Sequence, residues 1–214
     1  MPSFEHSCFI SYRHGQERIK RRFVDEFHRG LTAEMELLRN QEVYIDTKRL
    51  AGGDFFNAEL ELAVYKSAVM IVIYQPNYFD VQHPYCAREY RGMRALETER
   101  LGTLPNAVDR SHGLIVPVVL RGSNSIPGEL LALRQYEDFS RFMLSDEDLG
   151  RHSEYAAKIR GIAEYIDARC RCLENAQAQF DSPATFRFPS EEETCEWIRG
   201  LQLRGAQFPG AGRI

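Results

Sequence analysis

The sequence has no apolar run near the ~18–20 residues that a helix needs to cross a bilayer, so it predicts no membrane span. It also lacks a basic excess: 27 Lys and Arg stand against 31 Asp and Glu, for a net charge of −4. Nucleic-acid binders usually carry surplus positive charge, so no direct nucleic-acid contact is expected despite the short run Lys20-Arg21-Arg22. The opening MPSFEHSCFI lacks the basic start and long apolar stretch of a secretory signal. Cysteine is sparse: Cys8, Cys86, Cys170, Cys172 and Cys195 are odd in number and scattered, with no common zinc spacing. A reducing, cytoplasmic location without a structural metal is the expectation. Glycine is missing where several enzymes need it. Only Gly15 follows the first apolar segment, which removes a Gly-x-Gly-x-x-Gly dinucleotide fold. There is no P-loop, and Gly122-Ser123 lacks the frame of a hydrolase nucleophile elbow.

What is present is an average globular composition, 43% apolar and 27% charged over 214 residues. That excludes a wholly disordered, collagen-like or disulfide-scaffold chain. Cys8 to Tyr12 is short and apolar and ends in Arg13-His14-Gly15, a buried strand leading to a polar loop. Ile19, Phe23, Phe27, Leu31, Met35 and Leu38 recur every three or four residues, which predicts an amphipathic helix over 17–38 with Gly30 weakening its middle. Val43-Tyr44-Ile45 reads as a second strand, followed by a glycine-containing loop and a helix near 56–67. Ala68 to Tyr74 is apolar throughout, as expected for a parallel strand covered on both faces. A helix is expected over about 84–100 with proline in its first turn. Leu114 to Leu120 reads as a fourth strand, and its internal Pro117 suggests a bulge or a place near the sheet edge. Gln135 to Phe139 suggests a fifth strand, and Tyr155, Ile159, Ile162 and Ile166 mark a last helix.

Strands alternating with helices predict an α/β fold with a parallel sheet and helices on both faces. The domain is expected over 1–172. Residues 173–214 read as a C-terminal extension, irregular with one short helix opened by a capping box at Ser190 and Glu193, and a frayed end. Trp197 in that extension needs burial, so docking of the extension on the domain is expected. Open parallel sheets bind ligands at the carboxyl ends of their strands. That directs attention to Tyr12-Arg13-His14, to Asp46 through Asp54, and to Gln75 through Glu89. A phosphoacceptor receiver domain would need acidic residues after the first strand and an aspartate directly after the third, and neither is present.

Phe9-Ile10-Ser11-Tyr12-Arg13 resembles the first-strand motif of TIR (Toll/interleukin-1 receptor) domains. Tyr44-Ile45-Asp46, with Leu50, Gly52, Gly53, Asp54 and Phe55, resembles their second strand and BB loop. Ser67 to Tyr78 resembles the stretch of strand and turn that ends in Asn-Tyr. His83 to Glu89 looks like the family's Trp-Cys-x-x-Glu segment, with Tyr85 in place of Trp. Four motifs in order cover about residues 4–170. The resemblance implies a flavodoxin-like open parallel five-stranded sheet. Leu101 to His112 departs from the family in being longer and more polar.

The resemblance also implies two kinds of activity. Some TIR domains only associate with other TIR domains. Others, in plants, bacteria and one animal enzyme of axon degeneration, cleave NAD+ at the nicotinamide–ribose bond. The cleaving members carry a glutamate at the position of Glu89 and an aromatic residue shortly before it, here Tyr85. The sequence looks like a bacterial stand-alone NAD+ nucleosidase, giving nicotinamide and ADP-ribose or a cyclic isomer in antiviral immune signalling. NAD+ would be the substrate and no cofactor is implied. Such cleavage builds oxocarbenium character on the ribose, which one carboxylate can stabilise or attack. Glu89 is the candidate for that role, and a solvated helix glutamate is its plain alternative. Tyr12, Arg13, Asp46, Lys48, Phe55 and Tyr85 are the candidate substrate-binding residues. Arg13 is placed near ribose or diphosphate, or else paired with a helix acid. Phe55 and Tyr85 either sandwich a ring or pack in the core. Cys86 is read as buried, and His14 and His83 are left out of catalysis. The family implies self-association through the BB loop, Lys48 to Phe55, and neighbouring helices, with a partner or trigger protein switching the activity. The non-catalytic interaction module is the alternative, and a related enzyme acting on deoxynucleosides is a third.

Overall fold

Eight consecutive buried residues, Ser67–Tyr74, form the middle strand of a five-stranded sheet. The structure is a computed structural model and describes residues 4–15, 18–46, 54–104, 113–132, 136–143, 149–176 and 185–206. In chain order the elements are β1 (His6–Tyr12), α1 (Arg18–Leu38), β2 (Glu42–Ile45), α2 (Asp54–Lys66), β3 (Ser67–Tyr74), α3 (Tyr85–Thr103) and β4 (Ile115–Val119). Then follow α4 (Gly128–Leu131), β5 (Glu137–Asp138), α5 (Ser153–Asn175) and α6 (Glu191–Ala206). The spatial order is β2-β1-β3-β4-β5 and every pairing is parallel. This is the parallel α/β fold that the alternation predicts, in the flavodoxin-like order that the TIR resemblance implies. Right-handed crossovers put α1 and α5 together on one face and α2 and α3 on the other. The strand order reverses beside β1, so the crevice at the carboxyl ends of β1 and β3 is the topological switch point, where such folds bind ligands.

The apolar stripe of α1 explains its packing. Phe23, Phe27, Leu31 and Met35 are buried, as are Ile159, Ile162 and Ile166 of α5, the helix that α1 packs against. At one end of this interface Phe23, Phe27, Phe139, Phe142 and Tyr155 meet edge to face or stacked, with ring centroids 5.4–6.4 Å apart. At the other end Arg39 forks onto both carboxylate oxygens of Glu174, at 2.5 and 2.7 Å, and donates to Asp167 at 3.0 Å. Pro117 is accommodated by its side of the strand. Met70 donates to the Leu114 carbonyl and Leu120 to the Tyr74 carbonyl, so even-numbered residues face β3. The missing N–H of Pro117 therefore points toward β5, which pairs with β4 only from Val118 onward.

Two features of the C-terminal part differ from expectation. Helix α5 runs without a break past residue 172 to Asn175, because Cys170 and Leu173 continue its buried stripe. The expected short helix of the extension is α6, with 16 residues. Its capping box forms: the Glu193 carboxylate accepts from the Ser190 N–H at 2.9 Å, and Ser190 Oγ accepts from the Glu193 N–H at 3.2 Å. Trp197 docks against Phe79 and Tyr90, with centroids at 5.1 and 5.9 Å, and lies under the Arg91 guanidinium at 5.8 Å. Ahead of α6, Phe188 and Phe186 lie over Gly92, and the Phe188 N–H donates to Glu61 of α2 at 2.9 Å. The segment 185–206 thus lies against α3, with a tie to α2. Among the described residues no helix is long and apolar enough to cross a membrane.

Candidate active site

The site is built where three segments end. Strand β1 ends at Tyr12, the turn Gln75–Tyr78 closes β3 with a hydrogen bond from the Tyr78 N–H to the Gln75 carbonyl at 2.8 Å, and α3 starts after Pro84. Glu89 lies one turn into α3 and is 2% exposed. Ser11, itself buried, donates its hydroxyl to Glu89 Oε2 at 2.6 Å. The Tyr78 hydroxyl lies 2.6 Å from the same serine oxygen. Burying a carboxylate is costly unless hydrogen bonds replace its water, and Ser11 supplies one such bond. Tyr44 of β2 records the negative charge nearby. Burial pushes its phenol pKa up first, and Asp46, Glu59, Glu42 and Glu89 add to the rise.

The rim around this carboxylate comes from the loop after β1 and the turn after β3. The ring of Tyr12 stacks on His14 at 4.4 Å, and its hydroxyl donates to the Asp46 carbonyl at 3.3 Å. The His14 Nε2 lies 3.8 Å from the Asp46 carboxylate, an ion pair when the imidazole is protonated. Arg13 pairs with Asp80 at 3.0 Å. Asp80 is fixed in turn by the Gln82 N–H, which donates to its carboxylate at 3.0 Å, and by the His83 N–H, which donates to its carbonyl at 3.1 Å. Cys86 is buried and donates its thiol to the Tyr12 carbonyl at 3.4 Å, which fastens the start of α3 to the end of β1.

A family model described as TIR domain matches residues 8–152. The chain belongs to the TIR domain family. No curated protein matches the sequence. Membership gives the coarse function: TIR-type signalling, in a family whose domains generally self-associate.

In this TIR domain the sequence-predicted residues fall into three groups. Tyr12, Arg13 and Asp46 lie at the carboxyl ends of β1 and β2, and Glu89 of α3 reaches the end of β1 through Ser11. The solvated alternative for Glu89 is overturned, since burial and the Ser11 bond take its carboxylate out of bulk water. Arg13 is paired with an acid, as its plain alternative has it, but that acid, Asp80, sits in the connection between β3 and α3 and not on a helix. Tyr85 opens α3 and is 42% exposed, on the same helix four residues before Glu89. Lys48 lies outside the described residues, as does the side chain of Phe55, whose backbone forms the first turn of α2. Ser11, Tyr78 and Asp80 received no role from the sequence. A signal for the first was available: Ser11 is a polar residue inside an apolar strand, directly before the loop that the fold marks as functional.

Proposed function

We propose that this TIR domain is an NAD+ nucleosidase, with Glu89 as its catalytic residue. The observation that carries the reading is a buried carboxylate at the switch point of the sheet, mounted on a helix and held by a strand hydroxyl. In the reaction the bond between ribose C1′ and the nicotinamide nitrogen breaks, and the electron pair leaves with neutral nicotinamide. Positive charge grows on the ribose, and the Glu89 carboxylate stabilises it or attacks C1′. Water or the adenine ring then completes the exchange, giving ADP-ribose or a cyclic isomer, and a proton is released to solvent. Tyr12, Arg13, Asp46 and Tyr85 line the approach, with Lys48 and Phe55 as further substrate contacts. Arg13 reaches a diphosphate by exchanging Asp80 for it. NAD+ is the substrate, no cofactor is required, and the setting is antiviral immune signalling in the cytoplasm of a bacterium.

Glu89 is almost fully covered in the lone chain, so substrate reaches it only after the rim shifts. Self-association through Lys48 to Phe55 and adjoining helices, or a trigger protein, supplies that shift. Specific activity therefore rises steeply with protein concentration. Covered Glu89 and paired Arg13 equally suit a non-catalytic association module, which is the second reading. Chromatography of NAD+ incubated with concentrated protein, beside Glu89→Gln, separates the two. Nicotinamide release that disappears in the variant supports the enzyme. Retained TIR–TIR association with no release under any trigger supports the module.

A further inference from the structure

The Glu89 carboxylate is reached by two buried hydroxyls in series, and for an ionised carboxylate, which can only accept, counting protons gives the direction of both bonds. Each hydroxyl has one hydrogen to give. Ser11 spends its hydrogen on Glu89 Oε2. Its oxygen therefore faces Tyr78 as an acceptor, and the tyrosine hydroxyl must be the donor in the second 2.6 Å bond. We propose that Ser11 and Tyr78 are positioning residues that hold Glu89 ionised and oriented, through a one-way chain from Tyr78 to Ser11 to Glu89. This proposal rests on the reading of Glu89 as the catalytic residue.

Both hydroxyls sit on buried, packed residues. Ser11 is on β1, in register with Val72 of β3. Tyr78 is completely buried, and its ring packs edge to face on Phe79 at 4.9 Å. Neither hydroxyl can leave without exposing an unpaired buried polar atom. A donated hydrogen bond favours the charged form of a carboxylate, and the serine bond is itself strengthened when its oxygen accepts from tyrosine. The other titratable groups placed around the cluster are Tyr44 and Asp46 from the β2 side, Glu59 of α2, Arg13 and His14 after β1, and Asp80 after β3. Arg13 and His14 each face an aspartate of their own at 3.0 and 3.8 Å. Arg88, beside Glu89 on α3, is turned away to the Pro189 carbonyl at 2.9 Å. Ser11 is the hydroxyl that donates to Glu89, and Tyr78 bonds to Ser11 behind it.

The test uses the full chain with Ser11→Ala and Tyr78→Phe. The side-chain carboxyl of Glu89 is followed by carbon NMR across a pH titration, assigned with Glu89→Gln, and the pH profile of nicotinamide release is recorded in parallel. Removing a donor disfavours the ionised form, so both titration midpoint and acidic activity limb move to higher pH. The expected shift for Ser11→Ala is upward by about one to two pH units, the range for one hydrogen bond to a charged group. Tyr78→Phe shifts it the same way by less than Ser11→Ala, because the serine bond survives. If either variant fails to fold, the other carries the test, and Ser11→Cys, which keeps a weak donor, gives an intermediate shift. A Glu89 midpoint unchanged in Ser11→Ala and Tyr78→Phe overturns the proposal. Absence of NAD+ cleavage in the unmodified protein at every concentration and under any trigger, with the NMR shifts present, refutes the enzyme reading and leaves the hydrogen-bonded chain standing.

Discussion

Replacing Gly92 by alanine sets helix propensity against packing, and the structure decides which wins. Gly92 lies in the interior of α3, where alanine is favoured over glycine by about 1 kcal/mol. A Cβ built there meets Cδ1 and Cε1 of Phe188 at 2.7 and 2.9 Å and Cζ of Phe186 at 3.2 Å. The first two separations are too short for carbon atoms in contact, and Phe188 is 8% exposed, so its ring must move out of a filled site. Overpacking of this kind costs about 1–3 kcal/mol. The net effect of Gly92→Ala is a loss of about 0–2 kcal/mol. In a Phe188→Ala background the ring is gone and the propensity gain reappears, so the same substitution stabilises by up to about 1 kcal/mol. The coupling between the two sites is about 1–3 kcal/mol with a reversal of sign. Urea unfolding of the four proteins of the cycle, read at constant m-value, measures it. For a chain of this length each kcal/mol moves Tm by about 2–4 °C, so thermal melts read it too. A Gly92→Ala protein that is stabilised by the full propensity gain in both backgrounds refutes the seating of Phe188 on α3.

Arg100 is completely buried and donates to the carbonyls of Tyr65 and Ser67, joining the end of α2 to the start of β3. Arg100→Lys cannot span both oxygens and is expected to cost about 1.5–3 kcal/mol in chemical denaturation, where an unchanged midpoint would refute the bridging role. Burial pushes the Cys8 thiol far up and the Cys170 thiol up to about 12. At pH 8 both stay unreacted with a thiol reagent in the folded chain and react on unfolding; rapid labelling of all five cysteines in native buffer contradicts this. Burial lowers the pKa of His6 below its ordinary 6.5, against the opposing pull of Glu42. The unfolded chain therefore binds the proton more readily, so the contribution of His6 to stability is full above pH 6.5 and is lost as pH falls below it. His6→Gln flattens that acid-side loss, and an unchanged slope of stability against pH argues that His6 is not desolvated.

The sheet was legible because its strands announce themselves by composition. Ala68 to Tyr74 has no polar residue before its end, as expected of a strand covered on both faces. Helix α1 followed from its three- and four-residue spacing, and α6 from Ser190 and Glu193. The extent of α5 was less legible, since Arg169, Arg171 and Glu174 interrupt the apolar pattern while Cys170 and Leu173 keep it buried. Glu89 was legible only through its motif. Its burial was not, because a glutamate four residues into a helix has no local signal for what lies opposite. The Ser11–Tyr78 contact spans 67 residues of sequence and depends on strand register, so no pattern within either segment could reveal it. Asp80 as the partner of Arg13 was hidden for the same reason.

Helix α3 is held like a beam fastened on its outer side. Arg88 and Tyr90, the residues on either side of Glu89, are both fixed from the C-terminal segment, one through the Pro189 carbonyl and the other through the ring of Trp197. The carboxylate is thus one residue away from each fastening, while its own side chain faces the strands. A load applied to α6, by a fusion partner or an immobilising surface, meets α3 at Tyr90 through Trp197 and the β3–α3 connection at Phe79 and Val81. Handles placed there bear first on the helix that carries Glu89.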